Sequence, residues 1–300
     1  MTLLVNTNVF ALNALYTLGG HTNNIDKALE RLSSGSRINR SSDDVLDNSQ
    51  SGVLKAQLRS LEQAQKNTQD GISLLAVVDG SLGVIGEHVQ RIRELTVQLA
   101  NDSYALRERQ AMAQEMALLA QDIDRVASAA NFNGLALLDG TSTSLGELQV
   151  GIGSASIVNT VDVGPALADS RTNALGIIGG PNAGAFITSI NDISNPLTGT
   201  TQLTDNGQAT LFLQDLDLAL NTLYNRRATV GALSNQLQDV NQSLSEANIN
   251  VSAFHSVLRD ADIAAEMSVL TQSRILEEAS SMILNQANQQ RNAVQQLLLN

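Results

Sequence analysis

The sequence predicts a mainly α-helical protein, a long antiparallel helical bundle or coiled coil formed by its N- and C-terminal arms, with small β-hairpins in the middle. Three observations carry this. Apolar residues in both flanks recur at alternating steps of three and four, the period of one helix face. All three prolines (Pro165, Pro181, Pro196) and 12 of the 21 glycines, between Gly134 and Gly207, lie in the middle, so helix breakers concentrate there. Of the 18 basic residues only Arg171 falls within residues 126–225, so the centre also differs from the ends in charge.

The first arm carries a partial stripe, Leu15, Leu18, Ile25, Leu29 and Leu32, mirrored at the far end by Ile263, Met267, Leu270, Ile275, Ala279, Ile283 and Leu297. Such a stripe has to be buried against something, and the nearest candidate is the other terminus. Gly35 after Ser33 and Ser34 is a stop signal, and Ser41 with Asp44 three residues on has the form of a capping box that starts the next helix. Residues 35–41 are therefore a hinge candidate.

Leu75, Val78, Leu82, Ile85, Val89, Ile92, Thr96 and Leu99 form one regular stripe, and Met112, Met116, Leu119, Ile123, Val126 and Ala130 form a second. The longest run is Val230, Leu233, Leu237, Val240, Leu244, Ala247, Val251, Phe254 and Leu258. A helix from about Leu216 to Leu258 would be ~65 Å long. Between Leu145 and Val163 the pattern shortens to alternating pieces (Leu148, Val150, Ile152; Val161, Val163) separated by glycines, the signature of small hairpins.

Composition narrows the function. In 300 residues, 43% of them hydrophobic, there is no Trp and there are only 3 Tyr and 5 Phe. Binding pockets are usually lined with some aromatics, whereas helix seams use aliphatic knobs, so self-packing is favoured over an enzyme pocket. A net charge of −12 and a pI near 4.6 exclude nucleic acid as a natural partner, since phosphate affinity needs clustered cations. With no cysteine, disulfides, thiolate metal sites and thiol nucleophiles are absent. No stretch approaches the ~20 uninterrupted apolar residues of a membrane span, so no membrane partner is expected. Residues 1–10 lack the basic and apolar regions of a cleaved secretion signal, which points to another route if the protein leaves the cell.

Catalytic patterns are missing. His21, His88 and His255 stand apart, in neither HxxxH nor HExxH spacing, and no catalytic, metal or cofactor residue is assigned. Asp260, Asp262 and Glu266 fit an acidic first helical turn. The glycines of residues 79–86 lack the strand and the Lys-Ser/Thr of a phosphate loop and are expected to permit close helix approach. Arg91, Arg93 and Glu94 fit a solvated face with local ion pairs.

Several motifs in order then become recognisable: Glu30-Arg-Leu-Ser-Ser-Gly-Ser-Arg-Ile-Asn39 with Asp43-Asp44, Gln69-Asp-Gly-Ile-Ser73, Gln90-Arg-Ile-Arg-Glu-Leu95, Asn131-Phe-Asn-Gly134 with Leu137-Leu138, Asp260-Ala-Asp262, and Asn285-Gln-Ala-Asn-Gln289. Over about residues 1–140 and 215–300 the chain resembles bacterial flagellin. It departs from the pattern in the bulkier, more polar Val45-Leu-Asp-Asn-Ser-Gln-Ser-Gly52 and in lacking a proline at Gln289-Gln-Arg-Asn292; the last helix is accordingly expected to run on.

The resemblance implies a structural subunit that polymerises into the flagellar filament for swimming motility. Residues 1–41 and 256–300 would pair as inner-tube helices, ordered only in the polymer. Residues 42–255 would form a helical shell domain, with a hairpin and loop region at about 141–210 and no separate outer domain. The polymerisation seam is assigned to Leu15, Leu18, Ile25, Leu29, Leu32, Ile263, Met267, Leu270, Ile283 and Leu297. Implied partners are copies of the chain itself, an export chaperone at the C-terminal helix, and the hook–filament junction and cap proteins. Secretion would use the flagellum's type III apparatus, placing the protein in the extracellular filament. A hook–filament junction protein is the rival reading. In flagellins recognised by Toll-like receptor 5 the matching motifs make the main contacts, which here implies Gln90, Arg91, Leu95 and Glu115. Thr141-Ser-Thr-Ser144 and Thr198-Gly-Thr-Thr201 are candidate exposed glycosylation acceptors.

Overall fold

The computed structural model describes residues 8–101, 103–141, 146–153, 159–178 and 206–299, with the side chains of 106, 206–208 and 293–299 left out. Among the described residues the order is α1 (Val9–Ser34), α2 (Val45–Leu99), α3 (Leu106–Ala129), β1 (Asn131–Phe132), β2 (Leu135–Ala136), β3 (Glu147–Gln149), β4 (Thr160–Asp162), a 3-10 turn (Gly164–Ala166), α4 (Asn206–Arg259) and α5 (Ile263–Leu299). Thr198-Gly-Thr-Thr201, Pro181, Pro196 and much of the expected hairpin region lie outside the described residues.

The chain divides into two compact units, Met1–Arg59 with Asn248–Asn300, and Ser60–Ala247. The boundaries fall inside α2 and α4, whereas the sequence-derived boundaries near 41 and 256 lie at or near the connectors between helices.

In the unit of residues 60–247 the core is the predicted seam. All eight stripe residues from Leu75 to Leu99 are buried. Around them close Met116, Ile123 and Ala127 of α3, and Phe212, Leu216, Leu223, Val230 and Leu237 of α4. α2 runs 55 residues, ~80 Å, and joins the stripe from Leu75 onward to the helix start predicted near residue 41. Its N-terminal half is less legible because the buried seam there includes Ser51, Ala64 and Thr68. The Thr68 and Thr96 hydroxyls donate to the carbonyls four residues back, so neither is a buried orphan.

The helix start differs from the predicted capping box. Asp44, not Ser41, caps α2, its carboxylate accepting the N–H groups of Leu46 and Asp47. Ser41 instead accepts from the Asn48 amide. A carboxylate is the better cap because it also meets the positive helix end.

The glycines of α2 also differ from expectation. A Cβ at Gly80, Gly83 or Gly86 would meet nothing within 4 Å, so none permits close approach inside the chain. Gly71 does: a Cβ there would lie 3.1 Å from Leu237 and 3.2 Å from Leu148. At this point α2, α4 and the β3–β4 hairpin converge.

That hairpin is antiparallel, with Leu148 opposite Val161. Val150 and Val163 are buried, but Ile152, expected in the same stripe, is exposed beyond the strand end. A second hairpin pairs Asn131 with Ala136 and Phe132 with Leu135. Asn133 (φ 52°) and Gly134 (φ 80°) form its two-residue turn; two left-handed residues in sequence favour the Asn-Gly pair found here. Leu137 and Leu138 follow it into the core.

One 18-residue window of α2 reaches a mean hydropathy of 1.4, apolar enough to cross a membrane by length and composition. The window is still interrupted by polar residues such as Asp79 and Ser81, so the absence of a long uninterrupted apolar run stands. The apolarity has a local cause, because Val78, Leu82 and Ile85 are fully buried core knobs on that helix.

Candidate assembly and recognition surfaces

In the unit of residues 1–59 and 248–300, α1 and α5 pack along each other. Asn8 caps α1 by accepting the Ala11 N–H, and its side-chain amide donates to the Ala287 carbonyl of α5. Asp262 caps α5 by accepting from Ala264 and Ala265. Glu266 pairs with Arg31 across the two helices at 2.9 Å. Asp260 accepts from the Ser256 hydroxyl. The three acidic residues thus serve helix ends and one ion pair, and among the described residues no group of three or more His, Cys, Asp or Glu could hold a metal.

Apart from Glu30 and Arg31 at the end of α1, the less exposed positions are Ala11, Ala14, Leu18, His21, Ile25, Ala28 and Leu32 on α1, and Glu266, Leu270, Ser273, Glu277, Ser280, Leu284 and Ala287 on α5. Both series step by three and four without a break, the heptad pattern of a coiled-coil seam. Half of the ten residues assigned to the polymerisation seam are not in it. Ile25 and Leu270 are buried together with Ala28, with Leu32 packed against them, and Leu18 is half-buried. Leu15, Leu29, Ile263, Met267 and Ile283 are 43–56% exposed. The small seam residues bring the helices close and leave the larger side chains outside. Leu297 lies in α5, but its side chain is not among those described.

Further apolar residues share this exposure without having been named among the seam residues: Phe10, Leu12, Tyr16 and Met282. The signal was available in their density on α1 and α5. Exposed large apolar side chains at this density fit an interaction surface. Phe254, expected in the α4 stripe, is also exposed.

The second surface is in the other unit, where α2 passes α3 and α4. Arg91 bonds Glu115 of α3 at 2.9 Å and Glu94 on its own helix at 3.2 Å. These bonds hold the Arg91 guanidinium above its usual pKa, Glu115 contributing most. Gln90 and Arg93 turn to α4 instead, Gln90 donating to the Tyr224 hydroxyl (2.6 Å) and Arg93 pairing with Asp217 (2.7 Å). Successive residues point about 100° apart on a 3.6-residue helix, so neighbours in sequence reach different partners.

Of the four residues singled out here, Arg91 and Glu115 meet, Gln90 is exposed on the α4 side, and Leu95 is not on the surface. Leu95 is 1% exposed. It sits beside Ile92 and Thr96 in the core seam, three and four residues from Ile92 and Leu99, where an apolar side chain is drawn inward.

Comparison with known proteins agrees with these helices. The bacterial flagellin N-terminal helical region matches residues 5–143, and the bacterial flagellin C-terminal helical region matches residues 213–298. Flagellin of Bacillus subtilis (strain 168) is 36% identical over 309 residues, covering 98% of this chain and 99% of that protein. The flagellar filament 33 kDa core protein of Treponema phagedenis is 34% identical over 296 residues, covering 99% of this chain and all of that protein. A solved structure from Vibrio parahaemolyticus, described as a flagellar hook-associated protein, superposes with a TM-score of 0.58 at 17% identity, over 72% of this chain and 99% of that one; at that identity it speaks to the fold alone. With both helical regions matched in order and relatives aligned end to end, the chain belongs to the bacterial flagellin family.

Proposed function

We propose that this chain works as a polymer whose contacts are the apolar side chains left outside the α1–α5 seam. As a flagellin it is a structural subunit of the flagellar filament, an extracellular appendage, and not an enzyme. The observation that carries the seam assignment is the exposure of Leu15, Leu29, Ile263, Met267 and Ile283 on a pair of helices that are already packed on each other. Burying the exposed half of one such side chain contributes on the order of 1 kcal/mol, so stability comes with assembly. A contact between unlike patches that does not close on itself yields an open helical polymer.

In this reading residues 1–41 and 256–300 form the inner tube and order on assembly, and residues 42–255 form the shell. Before assembly a chaperone covers the α5 face that exposes Met267, Ile275 and Leu276, and the chain leaves through the flagellum's own export apparatus. Junction and cap proteins meet the ends of the polymer. Leu29→Asp and Met267→Asp change exposed residues, so the soluble chain keeps its helical circular dichroism while seeded growth of tubes, viewed by electron microscopy, stops. Normal tubes from both variants would overturn the seam. A chain serving at the hook–filament junction would instead be present at only a few copies per purified filament.

A second role rests on the exposed Arg91–Glu115 pair. We propose that this face, with Gln90 beside it and Leu95 supporting it from the core, is what Toll-like receptor 5 reads on the free subunit. Arg91→Ala and Glu115→Ala should each lower reporter-cell signalling at unchanged helicity; full signalling from the double variant would sink the assignment.

A further inference from the structure

We infer that the two connectors next to the terminal helices, residues 35–44 between α1 and α2 and residues 260–262 between α4 and α5, form a single joint latched by Arg37, so that neither opens without the other. If they were independent hinges, each would keep its hydrogen bonds to itself. Here they exchange them. The Arg37 N–H donates to the Arg259 carbonyl (2.6 Å) and the Ala261 N–H donates to the Gly35 carbonyl (2.9 Å), a reciprocal pair around an antiparallel bridge between Ser36 and Asp260.

The Arg37 side chain fastens the same place a second time. Its Nη2 donates to the Asp47 carboxylate (2.6 Å) in the first turn of α2 and to the Leu258 carbonyl (2.8 Å) in the last turn of α4. A C-terminal helix carbonyl has no partner within its own helix, so the guanidinium satisfies an end group of α4 while holding the start of α2. Both bonds leave the one Nη2, which stands one atom further out than a lysine nitrogen, so a lysine falls short of the two acceptors. Ile38, 3% exposed, is buried next to the latch, and the left-handed Gly35 (φ 67°) turns the chain into it. On the far side of the connector Asp43 accepts the N–H groups of Asn39 and Arg40, and Arg40 reaches back to Glu30 of α1. Bending at one connector therefore strips bonds from the other, and α1 and α5 swing as a pair. Arg37 is a positioning residue for the terminal arm.

Substitution at Arg37 and a cysteine-pair variant of the full chain test this, each grown into filaments. In Arg37→Ala, hydrogen exchange read by mass spectrometry should accelerate about tenfold or more, as expected for loss of a charge-assisted bond, in residues 36–41 and in residues 260–263 by the same factor, with Arg37→Lys recovering only part of it. Acceleration confined to residues 36–41 would overturn the single joint. The second variant, Ser36→Cys with Asp260→Cys, exploits the absence of any other cysteine. Residues facing each other in an antiparallel bridge are about 4.5–5.5 Å apart, within disulfide reach. The oxidised chain should cross-link fully, as seen by intact mass and on a non-reducing gel, and should still polymerise. Failure to cross-link, or loss of polymerisation on oxidation with recovery on reduction, would show that the connectors separate and would overturn the proposal even if Arg37→Ala makes no filaments.

Discussion

The Asp124 carboxylate on α3 accepts both the backbone N–H of Thr172 (2.8 Å) and its hydroxyl (3.0 Å), 48 residues further along the chain. Thr172 is 1% exposed, so no water replaces that acceptor. Asp124→Ala should lower stability by about 1–3 kcal/mol, the cost of leaving a buried donor unpaired. Thr172→Val, which removes the hydroxyl but leaves the amide bond intact, should cost less. Urea midpoints of the soluble chain at unchanged slope measure both.

The same loop is held from the other side by Arg226 of α4, which donates to the carbonyls of Ala168 and Asp169 and to the Ser170 hydroxyl. Burial pushes the Arg226 guanidinium below its usual pKa, opposed by the nearby Asp169 charge. All three bonds leave the one Nη1, which stands one atom further out than a lysine nitrogen, so a lysine falls short of these acceptors. Arg226→Lys should therefore recover little of the loss seen in Arg226→Ala, and limited proteolysis within residues 167–178 should speed up in both.

Acid should loosen this region in a predictable direction. Hydrogen bonds from Arg171 hold the Asp169 carboxyl below its usual pKa. A depressed carboxylate contributes stability that is fully present above the unfolded value of about 3.9 and is lost as pH falls through the lower folded value. Asp169→Asn should lower the thermal midpoint at pH 6 and flatten its decline between pH 4 and pH 2. An identical acid slope in variant and parent would contradict this.

Gly80, Gly83 and Gly86 have open space where a side chain would stand. Glycine in a helix interior costs about 0.5–1 kcal/mol relative to alanine. Converting all three to alanine should raise the thermal midpoint of the soluble chain, and an unchanged or lower midpoint would contradict open space at those positions.

The terminal seam responds in the opposite sense. Ala28 is 2% exposed between α1 and α5, and overpacking such a site costs about 1–3 kcal/mol. Ala28→Leu, although more hydrophobic, should lower the temperature at which filaments dissociate, followed by light scattering.

How much of this was legible in sequence depended on side-chain size. The α2 stripe consists of large aliphatic residues, and all eight of its positions are buried. The α1–α5 seam has the same period but is built partly of Ala, Ser, His and Glu, which a hydrophobic pattern passes over. The eye is drawn instead to Leu15, Leu29, Met267 and Ile283, which remain outside. The burial of Leu95 is hard to read for a related reason. A motif lists neighbours in sequence, and a helix sends them to different faces, so Arg91 reached the surface while Leu95 entered the core. The Arg37 latch left no trace in the pattern, because a bond from one side chain to a backbone carbonyl 221 residues away has no residue-type signature at its acceptor.

The bond from Asn8 to Ala287 joins positions 279 residues apart. While the chain is being synthesised, α1 is complete long before any of α5 exists, and closing so long a loop carries an entropic cost that short contacts do not. The α2, α3 and hairpin contacts can form while the ribosome is still working. The terminal pair cannot, so a chain that stops short never acquires it, and the order of synthesis leaves only finished subunits able to close the arm when they assemble.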